Sequence, residues 1–174
     1  MDGKPISNLG NSFALKLVGK GNIFRIPVPV ILFALAFAGF YFLLTKTTFG
    51  RRIYATGSNS QCAKLSGVDI SKTKIIVYGI SGFMAALSGL ILLSRLNSAQ
   101  PTLGEGYELD AIASVALGGT SMAGGRGKIQ GTLVGVLIIA VLNNGLNILG
   151  VSSYYQDVVK GIVILVAVLS VRKR

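Results

Sequence analysis

Histidine is absent from this chain, cysteine occurs once, at Cys62, and only six of 174 residues are acidic. Each scarcity removes a class of function. Without histidine there is no imidazole for acid–base catalysis or for a nucleophilic triad. A lone cysteine makes neither a disulfide framework nor a Cys/His metal cluster. Charged residues make up 13% of the chain, against about 25% in soluble domains, too few to cover a water-facing surface. No catalytic residue, metal ligand or cofactor is expected. What is present instead is apolar: 51% of the residues are hydrophobic, and there are 23 glycines, which membrane helices carry more often than soluble ones.

The net charge of +11 would suit a nucleic-acid partner, but its distribution does not. The basic residues form no amphipathic face and no block interleaved with aromatics; they lie between long apolar runs. Residues 1–22 lack the compact apolar stretch of a secretory signal. The glycine-rich segment from Gly118 to Lys128 is no phosphate loop. Met122 stands where the P-loop needs glycine, and Ile129 where it needs Ser or Thr. Gln130 likewise takes the last glycine position of a dinucleotide fingerprint.

Five apolar runs organise the chain: Ile26 to Leu44, Ile75 to Leu93, Leu109 to Leu117, Ile129 to Leu149 and Val158 to Val171. About 20 helical residues cross roughly 30 Å of hydrocarbon. The first, second and fourth runs are long enough, and the fifth suffices with tilt or thinned lipid. The third predicts a broken or half-spanning helix, which is tolerated where it is buried in protein or lines a cavity. The fold expected is an all-α, polytopic helical membrane protein of about five membrane segments, one short or broken, with a cytoplasmic coupling helix. It forms one membrane domain over 1–174. Residues 1–25 are an external loop, 26–44, 75–93, 108–120, 129–149 and 157–171 are the membrane segments, and 45–74 is a cytoplasmic loop.

If all five runs cross, one side holds Lys46, Arg51, Arg52, Lys64, Lys72, Lys74, Arg126, Lys128, Arg172, Lys173 and Arg174. The other holds Lys4, Lys16, Lys20, Arg25, Arg95 and Lys160, together with every acid except Asp69. The positive-inside rule puts the richer side, with the C-terminus, in the cytoplasm. A basic N-terminal stretch lying outside is natural only as a loop that follows earlier helices, so the chain reads as a fragment of a longer protein.

Small residues recur at four-residue spacing, as Gly127, Gly131 and Gly135 and as Ser81, Ala85 and Gly89. Both ladders predict faces for close helix packing. Asn143, Asn144 and Asn147 lie near the outer end of the fourth run. Buried amides must find partners, either on neighbouring helices or along a path for a hydroxyl-rich solute. Thr120 and Ser121 join them as candidates for such a path. Glu108 and Asp110, opening the third run, suit the positive end of a helix dipole.

The 45–74 loop is about 30 residues long, against a usual 2–8 between packed helices. Asn59 or Ser60 can cap a short helix and Gly67 can end it. That helix would turn Cys62, Ala63, Leu65 and Ser66 toward a partner, unless the loop simply rests on anionic membrane lipid. Here the sequence resembles the ribose-type permeases of bacterial carbohydrate ABC importers. The resemblance rests on Gly50-Arg51-Arg52-Ile53-Tyr54-Ala55-Thr56-Gly57-Ser58-Asn59, on Ala63-Lys64-Leu65-Ser66-Gly67-Val68, and on Gly106-Tyr107-Glu108-Leu109-Asp110-Ala111-Ile112-Ala113. Leu117-Gly118-Gly119-Thr120-Ser121, Asn143-Asn144-Gly145-Leu146-Asn147 and Gly150-Val151-Ser152-Ser153-Tyr154-Tyr155-Gln156 extend it. Cys62, Ser114 and Ala116 stand where Ala, Ala and Val are expected.

The resemblance implies the second half of a fold of about ten membrane helices in the bacterial inner membrane. It also implies a second permease copy in a dimer, a cytoplasmic ABC ATPase subunit and a periplasmic sugar-binding protein. Asn59, Ala63, Leu65, Ser66 and Gly67 would then belong to the coupling helix docked on the ATPase. From another class, an ATP-independent carrier or channel for a small polar solute would be favoured by ionisable groups inside the membrane, and none lies in the long runs.

Overall fold

The computed structural model describes residues 6–7, 21–23, 26–100 and 103–172. Most of the expected external loop 1–25, Pro101, Thr102 and the tail residues Lys173 and Arg174 lie outside the described residues. Among the described residues there are seven helices: α1 (Val28–Lys46), α2 (Thr48–Ser58), α3 (Ser60–Leu65), α4 (Ile70–Leu96), α5 (Tyr107–Leu117), α6 (Ile129–Ile148) and α7 (Ser153–Arg172). Two minimal antiparallel ladders accompany them. Ile6–Ser7 (β1) pairs with Ser98–Ala99 (β4), and Asn22–Ile23 (β2) with Ile26–Pro27 (β3).

Three helices, α1, α4 and α6, are long and apolar enough to cross a membrane. At 1.5 Å per residue the 20 residues of α6 reach about 30 Å, one hydrocarbon thickness. The 11 residues of α5 reach about 16 Å, half of it. Where hydropathy bounds the second segment at 75–93, α4 runs on through Lys72, Lys74 and Arg95, whose long side chains can reach the interface. The polar stretch Tyr154 to Asp157 likewise belongs to α7. The third segment ends at Leu117 rather than residue 120, because Gly118 caps it.

The chain divides into two compact units, residues 1–40 with 71–105 and residues 41–70 with 106–174. The second unit is built on α5, which packs against both α6 and α7. Its buried face is Ala113, Ser114 and Ala116, and Ile139 of α6 is buried with it. These side chains are small, so backbones rather than side chains meet. A Cβ at Gly118 would stand 2.6 Å from Thr132 N, and one at Gly135 would stand 2.9 Å from Ser114 C and 3.0 Å from Gly118 N. A Cβ at Gly131 would strike the Gly118 carbonyl oxygen. Close backbone approach of this kind is how helices associate in lipid.

The connections are specified locally. Thr47 Oγ1 donates to Leu43 O (2.6 Å) and accepts from Gly50 N (3.2 Å), so one side chain closes α1 and caps α2. The chain turns so tightly there that any Cβ on Gly50 would meet the carbonyls of Leu43 and Leu44. Asn59 Oδ1 then accepts from Gln61 N (3.0 Å) and Cys62 N (3.1 Å), capping α3. Helix α3 ends in a Schellman motif: Gly67 N donates to Lys64 O and Val68 N to Ala63 O, with Gly67 at φ 80°. Helices α5 and α6 close the same way, through Gly119 and Gly150.

Candidate functional site

Each charged side chain in the second unit must find a partner or reach water. Asp110, one turn into α5, and Lys160, two turns into α7, find each other: Lys160 Nζ lies 2.9 Å from Asp110 Oδ1. Lys160 is buried, with 8% of its surface exposed. Asp157, one turn earlier on α7, stands 3.7 Å from the same ammonium and is half exposed. The other oxygen of Asp110, Oδ2, accepts from Asn143 Nδ2 of α6 at 3.0 Å. Three helices thus meet through one carboxylate, one ammonium and one amide.

The amide is only half satisfied. Asn143 Oδ1 is buried and accepts no hydrogen bond among the described residues. Beside it opens a cavity of about 520 Å³. Asp110, Asn143, Asn147, Gln156 and Lys160 line it together with Tyr107, Ala111, Val136, Ile139 and Ala140. Gln156 Nε2 donates to Asn147 Oδ1 (3.0 Å) and to Val151 O (2.8 Å), which orients both amides. The lining is mixed: amides and an ion pair stand beside aliphatic side chains of the same helices.

The residues expected to form a polar path divide. Asn143 and Asn147 line this cavity, whereas Asn144 is exposed and does not. Thr120 and Ser121 lie beyond the opposite end of α5, where Thr120 sits against Gly127 and Ser121 N donates to Arg126 O (2.9 Å). Asp110 does stand in the first turn of α5, yet its carboxylate serves Lys160 and Asn143 rather than free backbone N–H groups. Lys160, Gln156 and Tyr107 escape a reading by hydropathy. The signal for Lys160 is its interruption of an otherwise apolar run.

Of the packing ladders, Gly131 and Gly135 lie on α6 against α5, while Gly127 precedes the helix and meets the Thr120 side chain from a loop. Ser81, Ala85 and Gly89 are exposed on α4, and nothing lies within 4 Å of a Cβ placed at Gly89. The expected docking face of α3 also divides. Ala63 is turned inward at 5% exposure and Leu65 outward at 90%, with Cys62, Ser66 and Gly67 exposed. Tyr54 Oη donates to Gly127 O (3.0 Å), and Gly57 packs against Gly125. The loop carrying α2 and α3 is therefore tied to the loop between α5 and α6.

Residues 5–168 match the family described as the branched-chain amino acid transport system permease component. The chain belongs to that family. It is 58% identical over 173 residues to the ribose import permease protein RbsC of Bacillus subtilis (strain 168), covering 99% of this chain and 54% of that protein. It is 50% identical to the Haemophilus influenzae RbsC over 171 residues, covering 97% and 53%. To the xylose transport system permease protein XylH of Escherichia coli (strain K12) it is 47% identical over 143 residues, covering 82% and 36%. The chain spans about half the length of the ribose permeases it matches. No solved structure matches it. As a member of this permease family with three apolar helices of spanning length, it is an all-α, polytopic membrane protein.

Proposed function

We propose that the permease carrying this chain is the membrane-spanning subunit of an ATP-driven importer for a monosaccharide, ribose first among them. This chain supplies part of the solute path and the surface helix that engages the motor. The observation that carries the reading is the 58% identity, along 173 residues, to a ribose import permease. A cytoplasmic ABC ATPase subunit hydrolyses ATP, a periplasmic sugar-binding protein delivers the sugar, and a second permease copy completes the path. The 45–74 loop, the Arg126–Lys128 loop and the C-terminus face the cytoplasm of a bacterial inner membrane. Charge asymmetry supports that orientation, as does the Tyr54–Gly127 bond joining the two basic loops.

Cys62, exposed on α3, tests the orientation. In a permease with no other cysteine, an impermeant maleimide should label it in inside-out vesicles and spare it in intact spheroplasts. The reverse pattern would turn the topology over.

Leu65 tests the coupling. It is the apolar side chain that α3 leaves almost wholly in solvent. A charge there costs a free loop nothing, whereas burying it in a docked interface costs several kcal/mol. Leu65→Glu in the complete permease should abolish sugar uptake and co-purification of the ATPase while leaving permease levels unchanged. Ala63→Glu is no substitute, since Ala63 is buried within its own chain.

One observation favours a second reading. The Asp110–Lys160 pair places ionisable groups among the helices, as an ATP-independent carrier would need. Normal uptake and ATPase recruitment by Leu65→Glu would make that carrier the better reading.

A further inference from the structure

The two basic loops of the second unit are joined by contacts of two kinds. One is a tie: Tyr54 Oη, on α2, donates to Gly127 O at 3.0 Å, across 73 positions of sequence. The other is a stop. A Cβ at Gly57 would stand 2.6 Å from Gly125 N, one at Gly124 would stand 2.6 Å from Gly57 O, and one at Gly125 would stand 2.7 Å from Ser58 Cα. Backbone lies on backbone there, with no side chain between to rotate out of the way. We propose that this joint is the mechanical link of the importer, with Tyr54 as its positioning residue: a displacement of α3 is handed across it to the α5–α6 pair. The inference rests on the importer reading and deepens it, by naming where the motor's stroke enters the membrane domain.

Both sides of the joint are held internally. On one side Asn59 closes α2 and opens α3: its N–H donates to Ala55 O (3.1 Å), and its Oδ1 accepts from Gln61 N and Cys62 N. The two helices share that residue, so a tilt of α3 carries α2 with it. On the other side the loop between α5 and α6 is closed on itself. Ser121 N donates to Arg126 O (2.9 Å), Gly124 N to Ser121 O (3.0 Å), and Thr120 N to Val115 O of α5 (3.2 Å). The Gly118 and Gly131 backbones meet directly, so what moves this loop moves the end of α5 and the start of α6 together.

The two contacts do different jobs. Close-packed backbone resists compression and so passes on a push, but it passes on no pull. The tyrosine hydrogen bond supplies the pull, and a transport cycle needs both directions. One such bond shifts an equilibrium by roughly two- to tenfold. Its removal should spare the push and weaken the return by that factor. Phenylalanine at 54 keeps the ring and deletes only the donor.

The test uses the complete permease, reconstituted in proteoliposomes with its ATPase and its sugar-binding protein. The reading is the number of ATP molecules hydrolysed per D-ribose imported. Tyr54→Phe should raise that ratio by the factor above while co-purification of the ATPase stays at the parent's level. Tyr78→Phe, at a tyrosine 75% exposed on α4, should change neither. Gly57→Ala forces the two backbones apart and should raise the ratio too. Adding Tyr54→Phe to it should then add little, because the two changes open one joint. An unchanged ratio in Tyr54→Phe would overturn the link. Loss of ATPase co-purification would overturn it as well, by making Tyr54 part of the docking face. So would uptake and hydrolysis falling together at a constant ratio, the mark of a role confined to the fold. Failure of the importer reading shows elsewhere, in the parent permease, as ribose uptake that needs no ATP. ATP-driven uptake in the parent with an unchanged ratio in Tyr54→Phe would remove the link and leave the importer standing.

Discussion

Alanine at Gly131 or Gly135 is expected to lower the thermal midpoint of the detergent-solubilised permease, although alanine is the better helix former. The opposing terms are separable. Replacing a mid-helix glycine by alanine favours the helix by about 1 kcal/mol. At Gly145, on the same helix, nothing lies within 4 Å of the new Cβ, so Gly145→Ala should hold or raise the midpoint. At Gly135 the new carbon would sit 2.9 Å from Ser114 C and 3.0 Å from Gly118 N, and at Gly131 it would strike the Gly118 carbonyl. Ordinary carbon contacts lie at about 3.5–4.0 Å. The atoms in the way are backbone, so relief requires α5 and α6 to separate along the seam that holds Ala113, Ser114 and Ala116. Overpacking typically costs about 1–3 kcal/mol, enough to reverse the propensity gain. Gly135→Leu should leave little folded permease. Equal midpoints for the 131, 135 and 145 alanine variants would mean that the helices do not meet at these glycines.

How much of this is legible in sequence depends on the range of the interaction. The ends of α6 at Ile129 and Ile148 follow from an apolar run bounded by Lys128 and Gly150, and the cap of α3 at Asn59 follows from residues within three positions of it. Contacts over longer separations leave weaker traces. Small residues every four positions announce a smooth face but not its neighbour: Gly131 and Gly135 meet α5, while Ser81, Ala85 and Gly89, at the same spacing, stand exposed. Helix α2 is amphipathic and lies in a basic loop, so hydropathy passes over it. Its anchors are a hydrogen bond from Tyr54 to a backbone carbonyl 73 residues away and the close approach of Gly57 to Gly125. Asp110 and Lys160 are 50 positions apart. Each has a local explanation, as a dipole partner or as an outer-side base, and those explanations hide that the two residues answer each other.

That pair carries the second large expectation. Lys160→Met should cost about 3–5 kcal/mol, the penalty for removing one partner of a buried ion pair and leaving the other charge uncompensated. The side chains of Lys160 and Asp110 are only 10% and 21% exposed, so water makes up only part of the lost role. Asn143 alone would remain on the carboxylate, through Oδ2. Asp157 cannot compensate, because it carries the same charge as Asp110. The double variant Asp110→Asn with Lys160→Met removes both charges and keeps a polar group for Asn143. It should recover most of the loss, because a buried pair is worth little more than a neutral replacement of similar shape. The measurements are the yield of monodisperse permease and its thermal midpoint in detergent. A single variant as stable as the parent would mean that the ammonium is solvated rather than paired. A double variant no better than the single would mean that the two residues act independently.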